Sequence, residues 1–552
     1  MSASAASPSA QQERASSTLH GRVSLASERW PGQTAVAMDG ERLSYEELER
    51  ASNRLARLLI EKGTQTGDRV GLLQPKSPQA IVSMVATLKA GGVYVPIDVA
   101  SPAVRVQRIL DVAEPRVVLA SQTAAKLAGE LHIEGELGAV DSAGSEGAPA
   151  DAASEGGGQP KLDGAAFGPA ETAAHDDAAL PNETAPHDAA HILFTSGSTG
   201  VPKGVVITHA MVTAFLDWAL PYFGHQPGDR ISGHPPLHFD LSTFDIYGTL
   251  SSGGELHLVG PKVLLPAHLA RFIRENELTQ WFSVPSTFAY MVKGNAIEDD
   301  DFPTLERVIW CGEVLPPAVL AHWMERVRQP SYTNLYGPTE ATIASSYHTV
   351  KEPPRDTTVP IPIGRPCGGE DILVLDEQLH PVSTGETGEL CIAGAGLSPG
   401  YWRDEEKTRA AFVVQPGTGT RVYRTGDLGR ADEQETLHYA GRVDSQIKSR
   451  GYRIELGEIE TALSAIAGMG ECAVVAVPSE GFEGTLICCA WSAKPGAELD
   501  PPTLRKQLSE TLPSYMLPAK WLHLPELPRN VAGKIDRRGL KERFAEEGAH
   551  NG

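Results

Sequence analysis

Cysteine is scarce in this chain: six among 552 residues, at positions 311, 367, 391, 472, 488 and 489, with no Cys-x-x-Cys pair. Neither a disulfide framework nor a thiolate zinc site is expected from so few. Long apolar runs are also missing, and nothing approaches the ~20 residues a membrane helix requires. The opening MSASAASPSAQQERASS is small and polar without an apolar centre. It argues against a signal peptide and reads as a flexible tail over 1–18. Positive charge is in deficit: the formal net charge is −22, so the basic surface that nucleic acid binding needs is absent. His234 and His238 stand four residues apart in HPPLHFD, but the two prolines between them oppose a helix. No glutamate completes a zincin pattern there. What remains is an ordinary globular composition, 41% hydrophobic and 21% charged. It is too long for one core, so at least two domains and a cytoplasmic enzyme are expected.

Local patterns supply the organisation. LSYEELERASNRLARLLIEKG predicts a helix: Ser44 and Glu47 make a capping box, Leu48, Ala51, Leu55, Leu58 and Leu59 form one apolar stripe, and Gly63 stops it. The following DRVGLLQ, SPQAIVSMVATLKAG and GVYVPI predict strand, helix and strand, a βαβ unit of a parallel sheet. From about Glu134 to Asp188 the pattern dissolves into Ala, Gly, Asp, Glu and Pro. That composition predicts an acidic, mobile insertion with no role of its own. Past Arg421, GRVDSQIKSRGYRIELGEIE reads as a charged hinge. Two β-rich runs, ECAVVAVP and LICCAWSA, then flank a turn, and a helix around PPTLRKQLSETLP completes a small α+β domain.

One stretch carries chemistry. ILFTSGSTGVPKG sets the hydroxyls of Thr195, Ser196, Ser198 and Thr199, with Gly197, ahead of Lys203. A Walker A loop places its lysine directly before Ser or Thr, whereas Lys203 precedes Gly204, so this is not a P-loop. Glycine amides and hydroxyls can still surround an anion. Alone, the stretch reads equally well as a flexible Gly/Ser turn.

The wider text decides between these readings. FTSGSTGVPKGV, followed in order by FDLSTFDIYG, NLYGPTEATI, GELCIAGAGLSPGYWRD, YRTGDL, GRVDSQIKSRGYRIELGEIE, LPSYMLP and NVAGKIDR, resembles the motif set of the adenylate-forming superfamily. The resemblance is to the adenylation enzymes of nonribosomal peptide synthesis, and it runs from about Leu19 to Arg537. It implies an α/β fold: a large N-terminal domain of layered subdomains over 19–442, and a small mobile C-terminal lid over 443–552. It also implies ATP and Mg²⁺ as cofactors, with a carboxylate activated as acyl-AMP and passed to a thiol. Bringing a carboxylate onto an anionic phosphate requires charge neutralisation and in-line positioning.

By the same resemblance, Thr195 and the loop hydroxyls contact phosphate. Tyr336 stacks on adenine while Asn334 contacts its edge, with Gly337 in the turn between them and the next residues. Thr339 touches the α-phosphate, Glu340 holds Mg²⁺, and Gly312, Glu313 and Val314 line the adenine's other side. Asp427 takes the ribose diol, Arg442 supports it, and Lys534 reaches the reacting oxygens from the lid. Asp444 is the hinge, and Gly451 lines the path of the thiol in a second lid position. Ala532 replaces the family's usual asparagine before Gly533, and Val99 a usual proline.

Asp240 stands where amino-acid-activating members anchor the α-ammonium; a structural aspartate at a helix start is the alternative. The side-chain pocket carried over by resemblance is Leu241, Phe244, Ser283, Ile309, Cys311, Leu335, Ile343 and Ala344. None bears a charge, which disfavours charged substrates. A small neutral amino acid is expected, alanine first, then glycine, serine, cysteine or proline, with its configuration open. The chain ends shortly after Lys534 without a carrier-domain Gly-Gly-x-Ser site or an HHxxxDG motif. A stand-alone enzyme loading a carrier protein in trans is expected, with a small activator protein as a further conceivable partner. The nearest rival is an acyl- or aryl-CoA ligase of the same superfamily, against which Asp240 and YGPTEATI speak. A silent relative acting only as a binding partner predicts a missing key residue, yet Thr195, Glu340, Asp427 and Lys534 all stand in place.

Overall fold

The capped stretch forms the helix Tyr45–Glu61 in the computed structural model, which describes residues 15–142, 162, 164–197, 200–478, 485–530 and 534–549. Ser44 Oγ accepts from the Glu47 N–H, and the Glu47 carboxylate accepts from the Ser44 N–H at 2.8 Å. Leu48, Leu55, Leu58 and Leu59 are buried along one face, and Gly63 adopts φ +83° just past the end. The predicted βαβ unit follows: strands Arg69–Leu73 and Val93–Pro96 pair in parallel across the helix Pro78–Lys89.

These elements belong to two sheets packed through shared helices. A six-stranded sheet ends on the antiparallel pair Ala189–Thr195 and Lys203–Thr208, which present the Ser/Thr/Gly loop at their turn. A nine-stranded sheet is parallel through Arg230–Gly233, Gln280–Ser283, Arg307–Trp310 and Ser331–Tyr336. Its residues Phe282, Ile309 and Leu335 join Leu72, Tyr94 and Val205 of the first sheet in one apolar core. An antiparallel five-stranded sheet over 370–442 carries Asp427 and Arg442 opposite one another on adjacent strands. Beyond it, the antiparallel 446–455 hairpin, the three-stranded sheet of Met469–Pro478, Thr485–Ala493 and Lys520–His523, and helices Leu456–Ser464, Pro501–Ser509 and Arg537–Ala549 enclose separate cores.

Two expectations are corrected. The segment 134–188 is not mobile throughout: Glu136–Ala139 is an edge strand and Pro169–Ala174 a helix. Asp177 is held by Arg50 at 3.0 Å and by Arg54 at 2.5 Å, and its carbonyl accepts from Asn53. Arginines on the Tyr45–Glu61 helix thus supply the order that the segment's own composition lacks; its residues 143–161 and 163 lie outside the described ones. At the N-terminus 1–14 also lie outside, whereas Thr18 is fully buried and its hydroxyl accepts from Asn182 at 2.9 Å. Among the described residues, no helix is long and apolar enough to cross a membrane.

Candidate active site

A cleft opens between the large sheets and the 446–455 hairpin, lined from the large side by Thr195, Ser196, Asp240, Leu241, Cys311 and Gly312. Gly337, Thr339, Asp427 and Arg442 complete that wall. The motif reading therefore assembles one site from segments more than 200 residues apart. Ser198 and Thr199 lie outside the described residues. Thr195 Oγ1 is buried without a hydrogen-bond partner among the described residues. Ser196 Oγ donates to the Arg453 carbonyl at 2.6 Å. Lys203 Nζ sits 5.2 Å from the Tyr401 ring.

The Ser331–Tyr336 strand carries Asn334 and Tyr336. Tyr336 O–H donates to Asp427 at 2.8 Å, and Arg442 pairs with the other Asp427 oxygen. Each carboxylate oxygen still has a lone pair for a further donor. Asn334 spends an amide hydrogen on the Pro362 carbonyl at 2.8 Å, and Lys448 Nζ lies 5.9 Å above the Tyr336 ring. Arg442 also grips Asp444 at 2.7 Å.

Asp240 precedes the short helix Leu241–Thr243, which passes into a π-helical turn, Phe244–Gly248, a distortion frequent at functional sites. Burial pushes the Asp240 carboxyl up to about 6, against the pull of the Thr339 hydroxyl, the Leu241 N–H and Lys448. Behind it Leu241, Phe244, Ile309, Cys311, Leu335, Ile343 and Ala344 share the main apolar core, each at most 3% exposed. The Cys311 thiol is pushed up to about 12, chiefly by burial, so it is a wall and not a nucleophile. Ser283 is fully buried, with its hydroxyl unpartnered among the described residues.

In this arrangement three of the expected site residues have other partners or surroundings. Lys534 is exposed and stands outside the cleft lining, its N–H donating to Asn530 Oδ1 at 3.1 Å. From the C-terminal side, Gln446, Lys448, Gly451, Tyr452, Arg453 and Tyr515 line the cleft instead. Val314 is 55% exposed and does not line the cleft. Glu313, next to it, bridges the two parts, accepting from Ser286 N–H at 3.0 Å and Gly451 N–H at 2.8 Å. Glu340 is completely buried, with Arg453 on both its oxygens at 2.7 and 2.8 Å and Tyr401 O–H donating at 2.8 Å. Burial would raise its carboxyl, but Arg453, Lys203 and the Tyr401 hydroxyl overcome that and hold it at about 2. In this arrangement the Arg453 guanidinium neutralises Glu340.

Sequence reasoning passed over Arg453, Lys448, Glu458 and Arg105. The first three lie inside a stretch that reads as a charged hinge, so their charges pass as solvated. Arg105 had a visible signal: it shares a helix face with Val106, Ile109 and Leu110, all buried.

Comparison with known proteins agrees with this architecture. Residues 23–402 match the AMP-binding enzyme family model, and 458–534 match the model of the AMP-binding enzyme C-terminal domain. The chain belongs to the AMP-binding enzyme family. Tyrocidine synthase 1 of Brevibacillus parabrevis is 32% identical over 95% of this chain and 45% of its own length. Of the synthases it matches, this AMP-binding chain spans only between 8% and 45%. An L-proline–[L-prolyl-carrier protein] ligase of Pseudomonas fluorescens is 34% identical over 95% of this chain and 98% of its own length. The structure of holo-PA1221, a nonribosomal peptide synthetase protein with adenylation and carrier domains, superposes with a TM-score of 0.76 at 28% identity. That superposition covers 95% of this chain and 84% of the other. The fold is that of adenylate-forming enzymes, a large N-terminal domain with a small C-terminal one.

Proposed function

We propose that this protein activates a small neutral amino acid with ATP, releasing pyrophosphate, and passes the aminoacyl group to the phosphopantetheine thiol of a carrier protein. The observation that carries the reading is Asp240, a carboxylate lining the cleft beside the apolar Leu241 and Cys311, with no ion-pair partner among the described residues. An ammonium bound there gains a charge-assisted hydrogen bond, whereas a fatty or aryl acid leaves the carboxylate buried and unpaired. The uncharged, buried walls from Leu241 to Ala344 favour a compact apolar side chain. Alanine leads, then glycine, serine, cysteine and proline, the last also the named substrate of the Pseudomonas relative.

In this reading Thr195, Ser196, Gly197 and Lys203 hold phosphate, Tyr336 and Asp427 hold the nucleoside, and 19–442 and 443–552 act as core and lid about Asp444. Glu340 fits Mg²⁺, which is commonly held by one or two carboxylates together with substrate phosphates; the ion would supply neutralisation of phosphate charge. The cytoplasm is the expected place of action, and a small activator protein a further partner. The test is ATP–pyrophosphate exchange across the proteinogenic amino acids, D-alanine, and several fatty and aryl acids. Exchange is expected only with a small neutral amino acid. Asp240→Asn should weaken kcat/KM by about 10- to 150-fold, the worth of one hydrogen bond to a charged group. Exchange with non-amino acids alone would move the chain to the acyl-ligase branch.

The Asp240 carboxyl also predicts a pH dependence. Its value near 6 lies above the ordinary 3.8. The folded state therefore binds more protons between these values, and this group's contribution to stability falls as pH rises through that window. A bound ammonium reverses the preference by favouring the ionised form. The rise in Tm produced by saturating alanine is thus expected to grow between pH 5 and pH 7, and to be flat in Asp240→Asn. A pH-independent rise in the unsubstituted protein would remove Asp240 from the ammonium site.

A further inference from the structure

The apolar wall behind Asp240 contains a strained turn. Ala344 N–H donates to the Thr342 carbonyl at 2.8 Å, closing a three-residue turn around Ile343. Thr342 has φ +54° and Ile343 φ +68°. That is the rare, strained hand of the γ-turn, built here on two β-branched residues, for which positive φ is an outlier. Such backbone persists only where its surroundings over-determine it. The fastening here is a chain of polar groups. Thr342 O–H donates to the Gly396 carbonyl at 2.7 Å, and the Gly396 N–H donates to Glu370 Oε1 at 2.6 Å. Glu370 opens the strand Glu370–Leu375, and its Oε2 is buried without a hydrogen-bond partner among the described residues. The carboxyl fills a cradle of two glycines: a Cβ on Gly396 would lie 2.9 Å from Oε1, and one on Gly394 2.8 Å from Oε2. The ionisable groups acting on it are Asp371, next to it, and the buried Cys367 thiol. Burial pushes the Glu370 carboxyl up to about 7 against the pull of the Gly396 N–H, and Asp371 adds to the rise.

We propose that Glu370 is a positioning residue for side-chain selection: through Gly396 and the Thr342 hydroxyl it holds the turn that sets Ile343 in the wall of the amino-acid pocket. The proposal rests on the amino-acid reading above. Ile343 is 1% exposed and shares its core with Leu241, Phe244 and Leu335. Its carbonyl takes the Cys311 thiol at 4.0 Å, which ties two of the wall residues together. A wall held in one shape rejects an oversized side chain, because a close-packed interior feels even one added methylene. A wall free to relax toward ordinary backbone yields to it. A hydrogen bond to a charged acceptor is stronger than one to a neutral acceptor, so the ionised Glu370 carboxyl is the better fastening. Asp240 acts on the ammonium common to every amino acid, whereas Glu370 acts on the side chain alone. In the ratio of kcat/KM for two amino acids the Asp240 contribution therefore cancels.

The test measures ATP–pyrophosphate exchange by the full chain between pH 6 and pH 8. The substrates are the best amino acid and its analogues one and two carbons larger, which for alanine are 2-aminobutyrate and valine. The unsubstituted protein should discriminate against each added carbon by about tenfold or more, and more sharply at pH 8 than at pH 6. Glu370→Ala should lower the ratio of smallest to largest by about tenfold at pH 8, the worth of one methylene contact, with kcat for the best amino acid within about threefold. Glu370→Gln keeps an acceptor for the Gly396 N–H, so it should restore most of the ratio and make it independent of pH. Should Glu370→Ala fail to fold by circular dichroism, Thr342→Val removes the same fastening and should lower the ratio alike. A ratio unchanged in Glu370→Ala and Thr342→Val, even with a lowered Tm, would overturn the proposal and leave the amino-acid reading intact. A pH slope that survives in Glu370→Gln would overturn it as well. Exchange with fatty or aryl acids and with no amino acid would overturn both.

Discussion

Lys534→Ala is expected to lower amino-acid-dependent ATP–pyrophosphate exchange by about 10²–10³, the usual loss for a donor aimed at developing charge. Transfer of the acyl group from preformed aminoacyl-AMP to a carrier thiol is expected to change by less than about threefold. The asymmetry follows from where the residue stands. Lys534 is exposed, outside the cleft, and its backbone is tied to Asn530, while the cleft is closed by Gly451, Tyr452 and Arg453. A lysine that contributes to adenylation must therefore do so from a different lid position. It has nothing to lose in the position described here. The two half-reactions, assayed separately on one preparation, decide the matter. Equal losses in both would make the lysine a structural support, and unchanged exchange would remove it from the chemistry.

The legibility of this site in the sequence follows the range of the forces involved. The helix Tyr45–Glu61 was readable because its cap and stripe lie within its own residues. Asp240, Thr339 and Asp427 were readable as positions in ordered motifs, and the sheets bring them to one cleft. The orientation of Lys534 was not. The surface that the C-terminal part presents to the cleft is held by a few long-range contacts: Gly451 with Glu313, Arg453 with Glu340, and Arg105 with Glu458. Local pattern carries no trace of such a choice. The same limit explains Asp177, whose order comes from arginines more than 120 residues earlier in the chain. Composition reports what a segment can bury by itself, not what a distant helix offers it.

Gly451→Ala is expected to reverse the Lys534 pattern, lowering transfer to the carrier by about 10²–10³ and leaving exchange within about threefold. Gly451 has φ +79°, and its N–H donates to Glu313 at 2.8 Å. A Cβ built there would lie 2.6 Å from Val284 Cγ1. Valine is stiff at χ1 and cannot swing aside, so the docked lid would bear both a left-handed alanine, about 1–2 kcal/mol, and overpacking of about 1–3 kcal/mol. Together these amount to roughly two to three powers of ten in the docked population. The undocked lid bears neither cost, which is why exchange should survive. The Val284→Ala change added to Gly451→Ala separates the two terms: it removes the clash and leaves the backbone strain, so transfer should recover by about one power of ten and no more. Full recovery would assign the whole effect to packing. Loss of exchange together with transfer would mean that Gly451 is needed in both lid positions, and that the docked arrangement is not specific to the second half-reaction.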